Sequence, residues 1–250
     1  MKLKKSSYKN FLKNEIISYK ISKNIINSKS KNLLEFSAGE GSITSFLIER
    51  KWDNYYIIEY DDLCASKIKE KFKNVKVFCK SILDFDLLKY EKVWSVIGQI
   101  PSNLPNSLIY GILKKIVSWR NNLEKVVLIL GEEIAQKIYK KESNEYGAIT
   151  ILMQLFFEID LLEKINPEDF FPKAKGSSRA ISLKLKENKV EINDYENFCN
   201  FLEIMCRFPR KMIRNNLFGT KYENFLPFEI LDKRVQEIPA ELILDFWKNK

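Results

Sequence analysis

Hydrophobic and polar positions follow two different patterns between about Asn32 and Asp160. Short runs rich in Val, Ile, Leu and aromatic residues predict strands at Asn32–Phe36, Tyr55–Tyr60, Val75–Cys79, Val93–Ile97 and Lys125–Leu130. Between these runs, apolar residues recur at every third or fourth position, which predicts helices at Ile43–Lys51, Asp62–Phe72, Ser107–Trp119 and Glu132–Lys141. Strands that alternate with crossover helices form a largely parallel sheet, so this pattern predicts an α/β fold.

The pattern changes after a helical stretch at Tyr146–Gln154. Two strands are predicted at Leu155–Ile165 and Arg179–Lys186, and Asn166–Lys173 joins them. We expect these two strands to extend the sheet at its end. Beyond Glu187 the strand pattern disappears, and the remaining segments predict helices at Glu196–Met205, Arg210–Leu217, Pro227–Leu231 and Ala240–Lys248. We therefore expect two domains, residues 1–187 and residues 188–250.

Composition narrows the class of protein. The 250 residues are 45% hydrophobic, enough to fill the core of such a fold. The formal net charge of +9 indicates an anionic partner, although biased genome composition explains a Lys-rich chain equally well. The four cysteines form no C-x-x-C pair and the chain has no His, so we expect reduced thiols and no metal site. No apolar run has the length of a membrane span, and we expect a soluble, cytoplasmic protein.

A glycine-containing turn follows the first predicted strand of the sheet. Residues Glu35–Ser42 lead from that strand directly into a helix, where α/β folds bind nucleotides. Gly39 and Gly41 would let the backbone approach a ligand, and Glu35 could accept a hydrogen bond from an ammonium group. Glu59 ends the next strand about twenty residues later, where an acid can bind both ribose hydroxyls. A plain structural turn and a solvated strand end are the alternatives, but the combination predicts an adenosyl ligand.

Lys9-Asn10-Phe11-Leu12 resembles the Gln-Asn-Phe-Leu opening of the ribosomal RNA adenine dimethyltransferases, although Lys9 replaces the Gln. This family includes the kasugamycin-sensitivity enzyme and the macrolide-resistance methyltransferases, and further segments resemble its motifs in order. The other matching segments are Leu34–Thr44 (first motif), Ile57–Asp61 (ribose motif), Tyr146-Gly147 before a helix, Phe170–Ser178 (Phe-x-Pro-x-Pro-Lys-Val-x-Ser) and Pro209–Leu217 (the basic Arg-Lys-x-x-Arg-Asn helix). The last of these favours the small-subunit branch over the macrolide-resistance branch.

The resemblance implies a Rossmann-like class I methyltransferase sheet with a small helical C-terminal domain that binds RNA. It also implies S-adenosylmethionine as cofactor, and the residues that match the family's cofactor site are Asn10, Leu12, Glu35, Ser37, Gly39, Gly41, Glu59, Ser81 and Gln99. Two of these differ from the family. Ser37 replaces a glycine, which is strained if its φ is positive, and Ser81 replaces the Asp that would hold the adenine amino group.

In that family the target adenine is flipped into a pocket and presented for methylation by a loop after the fourth strand. Here the matching loop is Gly98–Ser102, in which the Gln99 carboxamide and the Ile100 backbone carbonyl would accept from the amine, followed by Pro101. Ser102 stands where the family has a stacking aromatic residue. Phe170 could stack on the base from the other side, or it could be a core aromatic. An alternative register would place the loop at Asn103–Asn106.

Two clusters of basic residues predict contacts with RNA phosphates. Residues 1–31 contain Glu15 as their single acid and the basic residues Lys2, Lys4, Lys5, Lys9, Lys13, Lys20, Lys23, Lys29 and Lys31. The second cluster consists of Arg207, Arg210, Lys211 and Arg214. Solvated helix faces are the alternative for either cluster. We expect a monomeric RNA adenine N6-methyltransferase acting on ribosomal RNA, in a small-subunit pre-ribosomal particle. The alternative is an inactive family member that serves as an RNA-binding assembly or transcription factor.

Overall fold

The computed structural model describes residues 10–140, 147–187 and 191–249. Strands in these ranges are β1 (Phe11–Leu12), β2 (Asn32–Phe36), β3 (Asn54–Glu59), β4 (Lys76–Cys79), β5 (Trp94–Gln99), β6 (Leu123–Gly131), β7 (Phe157–Ile165), β8 (Phe170–Phe171) and β9 (Ser178–Leu185). The helices are α1 (Glu15–Ile26), α2 (Thr44–Leu47), α3 (Asp62–Lys71), α4 (Asn106–Ser118), α5 (Glu132–Tyr139), α6 (Ala148–Phe156), α7 (Tyr195–Met205), α8 (Ile213–Leu217), α9 (Phe228–Leu231) and α10 (Ala240–Lys248).

Seven of the strands form one sheet in the order β4-β3-β2-β5-β6-β9-β7. The pairs β4-β3, β3-β2, β2-β5 and β5-β6 are parallel, and β6-β9 is antiparallel. The chain moves outward from β2 in one direction through β3 and β4, and then returns to the other side of β2 as β5. This reversal creates a switch point beside the carboxyl end of β2, where open α/β sheets bind ligands. The predicted α/β fold with two added strands is confirmed.

Burial patterns explain why these segments form these elements. Every residue of β5 except Gln99 is buried, as expected for a strand covered by helices on both faces. In α4 the buried residues recur at helical spacing: Ile109, Ile112, Leu113, Ile116 and Val117. On one side of the sheet the core includes Ile21, Leu47, Ile57, Ile68 and Phe170. Aromatic rings pack together in a further cluster: Tyr56, Phe78, Phe85, Tyr90, Trp94 and Trp119.

Two helical predictions need correction, and one helix was missed. The helix predicted at Ile43–Lys51 is limited to Thr44–Leu47. The basic helix predicted at Arg210–Leu217 begins only at Ile213, so Arg210 and Lys211 lie in the turn before it. Helix α1 was not predicted at all; its N-cap is Asn14, whose side chain accepts from the Ile17 amide at 3.2 Å. The buried face of α1 mixes Ser18 and Ser22 with isoleucines, which weakens the apolar periodicity.

The described chain divides into two compact units, residues 1–135 with 158–185, and residues 136–157 with 186–250. The second unit therefore contains Gln136–Phe157 in addition to the predicted C-terminal helices. Its core is aromatic, with the Phe201 ring stacked on Trp247 at 5.5 Å and tilted on Phe225 at 4.9 Å. Within the described ranges, no helix combines the length and the apolar character needed to cross a bilayer.

Candidate active site

A cavity of about 180 Å³ opens in the first unit where the carboxyl ends of β2, β3 and β5 meet. Its apolar walls are provided by Ile58, Ile82, Ile97 and Ile112. Eight of the nine residues predicted to bind the cofactor line it: Asn10, Leu12, Glu35, Ser37, Gly39, Glu59, Ser81 and Gln99. Gly41 is not among the lining residues. The structure thus brings residues from five separate parts of the chain into one site.

The turn after β2 has a left-handed backbone at three positions. The φ angles are +53° at Ser37, +61° at Gly39 and +83° at Gly41. A Cβ on Gly39 would lie 2.7 Å from the Phe11 ring, and one on Gly41 would lie 2.5 Å from the Phe72 ring. Glycine is therefore required at these two positions by both backbone conformation and space. Gly41 shapes the turn from outside the cavity.

Ser37 occupies a backbone conformation that costs an L-residue roughly 1–2 kcal/mol. We expect Ser37→Gly to stabilise the protein by up to about 1 kcal/mol, because the relieved strain exceeds the greater entropy that glycine has in the unfolded chain. Urea unfolding of both proteins measures the difference. Ala38→Gly is the matched control; Ala38 does not have a positive φ, and this change should destabilise the protein by about 0.5–1 kcal/mol. Equal effects of both changes would contradict strain at Ser37.

Glu35 lies at the base of the cavity and is only 2% exposed. The Thr44 hydroxyl donates to both of its carboxylate oxygens, at 3.1 and 2.9 Å, and the Tyr55 hydroxyl donates to Oε2 at 2.5 Å. Burial raises the pKa of Glu35 to about 7, although the two hydroxyl donors lower it. Burial and the charge of Glu35 also raise the pKa of Tyr55. Glu35 can therefore gain or lose a proton near neutral pH when a charged ligand enters the cavity.

Glu59 ends β3 and is 7% exposed. Its Oε2 accepts from the Gly39 amide at 3.0 Å, and its Oε1 accepts from the Asp61 amide at 3.0 Å. The carboxylate therefore connects the glycine turn to the loop after β3. A carboxylate has about four lone-pair sites on its two oxygens, so its chemistry suits ligand hydroxyls as well as backbone amides.

Both residues of the short strand β1, Phe11 and Leu12, line the cavity. The strand pairs antiparallel with β8, with Phe11 opposite Phe171 and Leu12 opposite Phe170. The Asn10 side chain donates to the Pro172 carbonyl at 2.7 Å, and the Ser42 hydroxyl donates to the Leu12 carbonyl. Phe11 lines the cavity but was not predicted as a site residue, although it lies within the quoted Asn-Phe-Leu segment. Lys9 lies outside the described residues.

The predicted reaction loop begins at the last residue of β5. The Gln99 Nε2 donates to the Asn10 carbonyl at 3.0 Å, and the Ile100 amide donates to the Ile129 carbonyl at 2.8 Å. Gln99 and Pro101 line the cavity, whereas Ile100 is buried and Ser102 is exposed outside it. From the alternative register only Leu104 lines the cavity. The position of Gln99 directly at the strand end favours the first register.

The sequence left two roles open for Phe170, and the stacking role stays a prediction. The ring is 2% exposed and belongs to the hydrophobic core with Leu12 and Ile97, so it presents no free face in this structure. The interpretation as a core aromatic fits its position. Ser81 does line the cavity, and its hydroxyl accepts from the Leu83 amide at 3.2 Å, which caps a short turn after β4. Other lining residues that were not predicted include Tyr60, Asp61 and Lys80.

The basic residues differ in how accessible they are. Arg207, Arg210 and Lys211 are exposed, and the Lys211 ammonium lies 4.7 Å from the centre of the Phe208 ring. Arg214 is half-buried and forms an ion pair with Asp232. In the N-terminal cluster Lys13, Lys20, Lys23, Lys29 and Lys31 are exposed. Lys2, Lys4, Lys5 and Lys9 lie outside the described residues.

The sheet order, the switch-point cavity and its acidic strand ends define a Rossmann-like methyltransferase. Solved structures share this fold. A dimethyladenosine transferase from Plasmodium falciparum is 20% identical with a TM-score of 0.75, covering 96% of both chains. The 23S rRNA methyltransferase ErmE is 18% identical with a TM-score of 0.64, covering 96% of this chain and 100% of that chain.

The family model described as "Ribosomal RNA adenine dimethylase" matches residues 1–249. Ribosomal RNA small subunit methyltransferase A from Mesomycoplasma hyopneumoniae (strain 232) is 31% identical over 257 residues, covering 98% of this chain and 96% of the relative. The protein of the same name from Borreliella burgdorferi (strain ZS7) is 29% identical over 239 residues, covering 93% and 83%. The chain therefore belongs to the ribosomal RNA adenine dimethylase family, which confirms the resemblance and the enzyme class it implies.

Proposed function

We propose that this protein transfers methyl groups from S-adenosylmethionine to the N6 amine of an adenine in small-subunit ribosomal RNA. The observation that carries the proposal is the single cavity bordered by the glycine turn, Glu59 and Gln99. A nucleoside ligand bound in this cavity would lie beside the carboxamide at the end of β5. The substrate class follows from family membership and from the names of the relatives.

The cavity residues fit S-adenosylmethionine by their chemistry. Glu59 would accept from the ribose hydroxyls, the turn at Gly39 would lie against the ligand backbone, and Glu35 at the cavity base would favour a cationic amino group. The apolar walls around Ile82 and Ile112 suit an adenine ring. When bound, this cofactor supplies an electrophilic methyl group. The residues of the chain bind it and exclude water from the cavity.

The protein's main task toward the methyl acceptor is to position the exocyclic amine of the target adenine. An exocyclic amine reacts when its lone pair is turned out of conjugation and aimed at the methyl group, and hydrogen-bond acceptors on its N–H groups hold that geometry. We assign this role to the Gln99 carboxamide and the Ile100 carbonyl, with Pro101 fixing the turn. The Asn10 carbonyl holds the Gln99 Nε2, so the Oε1 is the atom of Gln99 that accepts from the target amine.

The function is tested by methyl transfer from tritiated S-adenosylmethionine to small-subunit particles isolated in an undermethylated state. We expect label in adenine, identified as N6-methylated adenosine after nuclease digestion. Particles that are already methylated serve as the control and should accept little label. No transfer together with no measurable binding of S-adenosylmethionine would overturn the proposal and favour an RNA-binding factor. The monomeric state and the cytoplasmic location remain predictions.

We further propose that the exposed basic residues of the helical unit bind phosphates of the RNA. Replacing Arg210 and Lys211 with Ala should weaken RNA affinity and flatten its dependence on salt by about one unit of slope per lost contact. Arg214→Ala is the matched control: its charge is already paired with Asp232, so it should change the slope less. Filter binding over a series of salt concentrations measures all three proteins. An unchanged slope in the double variant would make this turn a solvated surface.

A further inference from the structure

Tyr55 is a buried titratable residue on β3 that is not among the residues lining the cavity. Its hydroxyl nevertheless donates to Glu35 Oε2, at the base of the cavity, at 2.5 Å. The strand register explains this contact. Leu33 of β2 is paired with Tyr55 and Glu35 is paired with Ile57, so Tyr55 and Glu35 are on the same face of the sheet, two residues apart. Phenylalanine would fill the same space, so packing alone does not account for the hydroxyl.

The surroundings of the Glu35 carboxylate oppose its charge. Its neighbours in the sheet are apolar, Ile57 on β3 and Ile97 on β5. Within the described chain, the titratable groups that act on it are Tyr55 and Glu59, both on the same face of β3, and the negative charge of Glu59 disfavours a second carboxylate. The hydroxyl donors of Tyr55 and of α2 therefore oppose both the burial and the charge of Glu59.

The Tyr55 hydroxyl is a permanent donor in this arrangement. Burial and the charge of Glu35 raise the pKa of Tyr55 well above its ordinary value, so the phenol keeps its proton. Burial raises the pKa of Glu35 to about 7, and the hydrogen bond from Tyr55 lowers it because the donor stabilises the charged carboxylate. Removal of this donor therefore raises the pKa of Glu35 further and leaves more of the carboxyl group neutral at neutral pH.

We propose that Tyr55 is a positioning residue that keeps the Glu35 carboxylate ionised and oriented for the cationic amino group of S-adenosylmethionine. The inference rests on the proposed function and adds to it a residue that acts on the cofactor only through Glu35. A carboxyl group attracts a cation strongly only in its ionised form. Cofactor affinity should therefore follow the proton on Glu35, and in the wild type we expect it to rise by about fivefold between pH 6 and pH 7.5.

The test is calorimetric titration of wild type, Tyr55→Phe and Tyr56→Phe with S-adenosylmethionine between pH 6 and pH 8. Phe keeps the ring of Tyr55 but removes the donor. We expect its dissociation constant to exceed that of wild type by about tenfold at pH 6 and by only about twofold at pH 8, where Glu35 is largely ionised in both proteins. The cofactor's own amino group titrates near pH 8, equally for all proteins, so it cancels in this ratio.

Tyr56→Phe is the matched control variant. Tyr56 is the next residue of β3 and points to the opposite face of the sheet, where its ring packs against Phe78. The change removes the same hydroxyl group but not a donor to Glu35. We expect the affinity for S-adenosylmethionine to stay within about twofold of wild type at each pH.

A control ligand and a second variant show whether Tyr55 acts through Glu35. Methylthioadenosine has the nucleoside and sulfur of the cofactor but lacks the amino acid part. Its affinity should change by less than about twofold with pH and between wild type and Tyr55→Phe. Glu35→Gln has no charge to stabilise at any pH, so adding Tyr55→Phe to it should change the affinity for S-adenosylmethionine by less than about twofold.

The possible outcomes separate the inference from the proposed function. A ratio of dissociation constants that stays the same from pH 6 to pH 8 would give Tyr55 a purely structural role and overturn the inference. Weaker binding of methylthioadenosine to Tyr55→Phe would overturn it as well. So would a wild-type affinity for S-adenosylmethionine that is equal at pH 6 and pH 7.5, a result that depends on no variant. A wild type that binds no S-adenosylmethionine at any pH would instead contradict the proposed function itself.

Discussion

Glu59→Ala is expected to weaken binding of S-adenosylmethionine by about a hundredfold or more. The variant loses an ionised acceptor for ribose hydroxyls, and hydrogen bonds to charged groups contribute roughly 1.5–3 kcal/mol each. Two such bonds correspond to at least about two orders of magnitude in the dissociation constant. Because Glu59 also accepts from the Gly39 and Asp61 amides, part of the loss should come from a less ordered glycine turn.

Calorimetric titration of wild type and variant with S-adenosylmethionine measures the change. Glu40→Ala is the matched control, because Glu40 also lines the cavity but its carboxylate is exposed and paired with Lys67 at 2.8 Å. The control removes the same formal charge and should change affinity by less than about threefold, as is usual for an exposed ion pair. Comparable losses in both variants would mean that negative charge alone matters. Equal affinity of Glu59→Ala and wild type would remove Glu59 from the cofactor site.

The central strands β2 and β5 were predictable because nearly all their residues are buried on both faces. The bounds of β2 agree with the prediction at both ends, and β3, β4 and β5 differ by two residues or fewer at each end. A continuous apolar run of this kind can be recognised as a strand from the local sequence alone. The same local reasoning failed for α1. Its buried face contains serines, and the helix is stabilised by tertiary packing rather than by a regular apolar pattern.

The cavity was predictable in composition but not in its contacts. The acids at the strand ends and the glycine turn follow directly from the strand pattern, since carboxyl ends of parallel strands meet at one edge of the sheet. The hydrogen bond between Gln99 and Asn10 joins residues 89 positions apart and leaves no trace in local sequence. The sign of φ at Ser37 was likewise undetermined, because Ser tolerates both turn conformations at different cost.

The orientation of β8 shows a further limit of motif matching. The segment Phe170–Ser178 resembles the family's motif, which has one phenylalanine, at its first position. This chain has two adjacent phenylalanines there. Which ring is buried is decided by the pairing with β1, a strand of two residues without a periodic pattern. A shift of one residue in that register would exchange the two faces. The structure therefore supplies the information that decides which of the two rings is buried, namely Phe170.

Gln99→Ala is expected to lower the rate of methyl transfer by about a hundredfold or more at saturating cofactor and RNA. Removal of a hydrogen-bonding group that positions a reacting atom commonly costs about two to three orders of magnitude. The variant also loses the donor to the Asn10 carbonyl, so the β1 segment is less firmly held beside the cavity. We expect the affinity for S-adenosylmethionine to fall by less than about tenfold, because Glu35, Glu59 and the glycine turn are unchanged.

Asn103→Ala is the matched control for Gln99→Ala, because it removes the side-chain carboxamide that the alternative register would use. Asn103 precedes α4 and does not line the cavity, whereas Gln99 ends β5 and does. Single-turnover transfer of tritiated methyl groups to undermethylated particles, with calorimetric titration of the cofactor, distinguishes the two residues. A rate for Asn103→Ala within about twofold of wild type would support Gln99 as the acceptor. A slow Asn103→Ala with a normal Gln99→Ala would instead make Asn103, just before α4, the acceptor. The loop would then have to rearrange when RNA binds, because only a carboxamide within hydrogen-bond reach of the target amine can hold that amine in line.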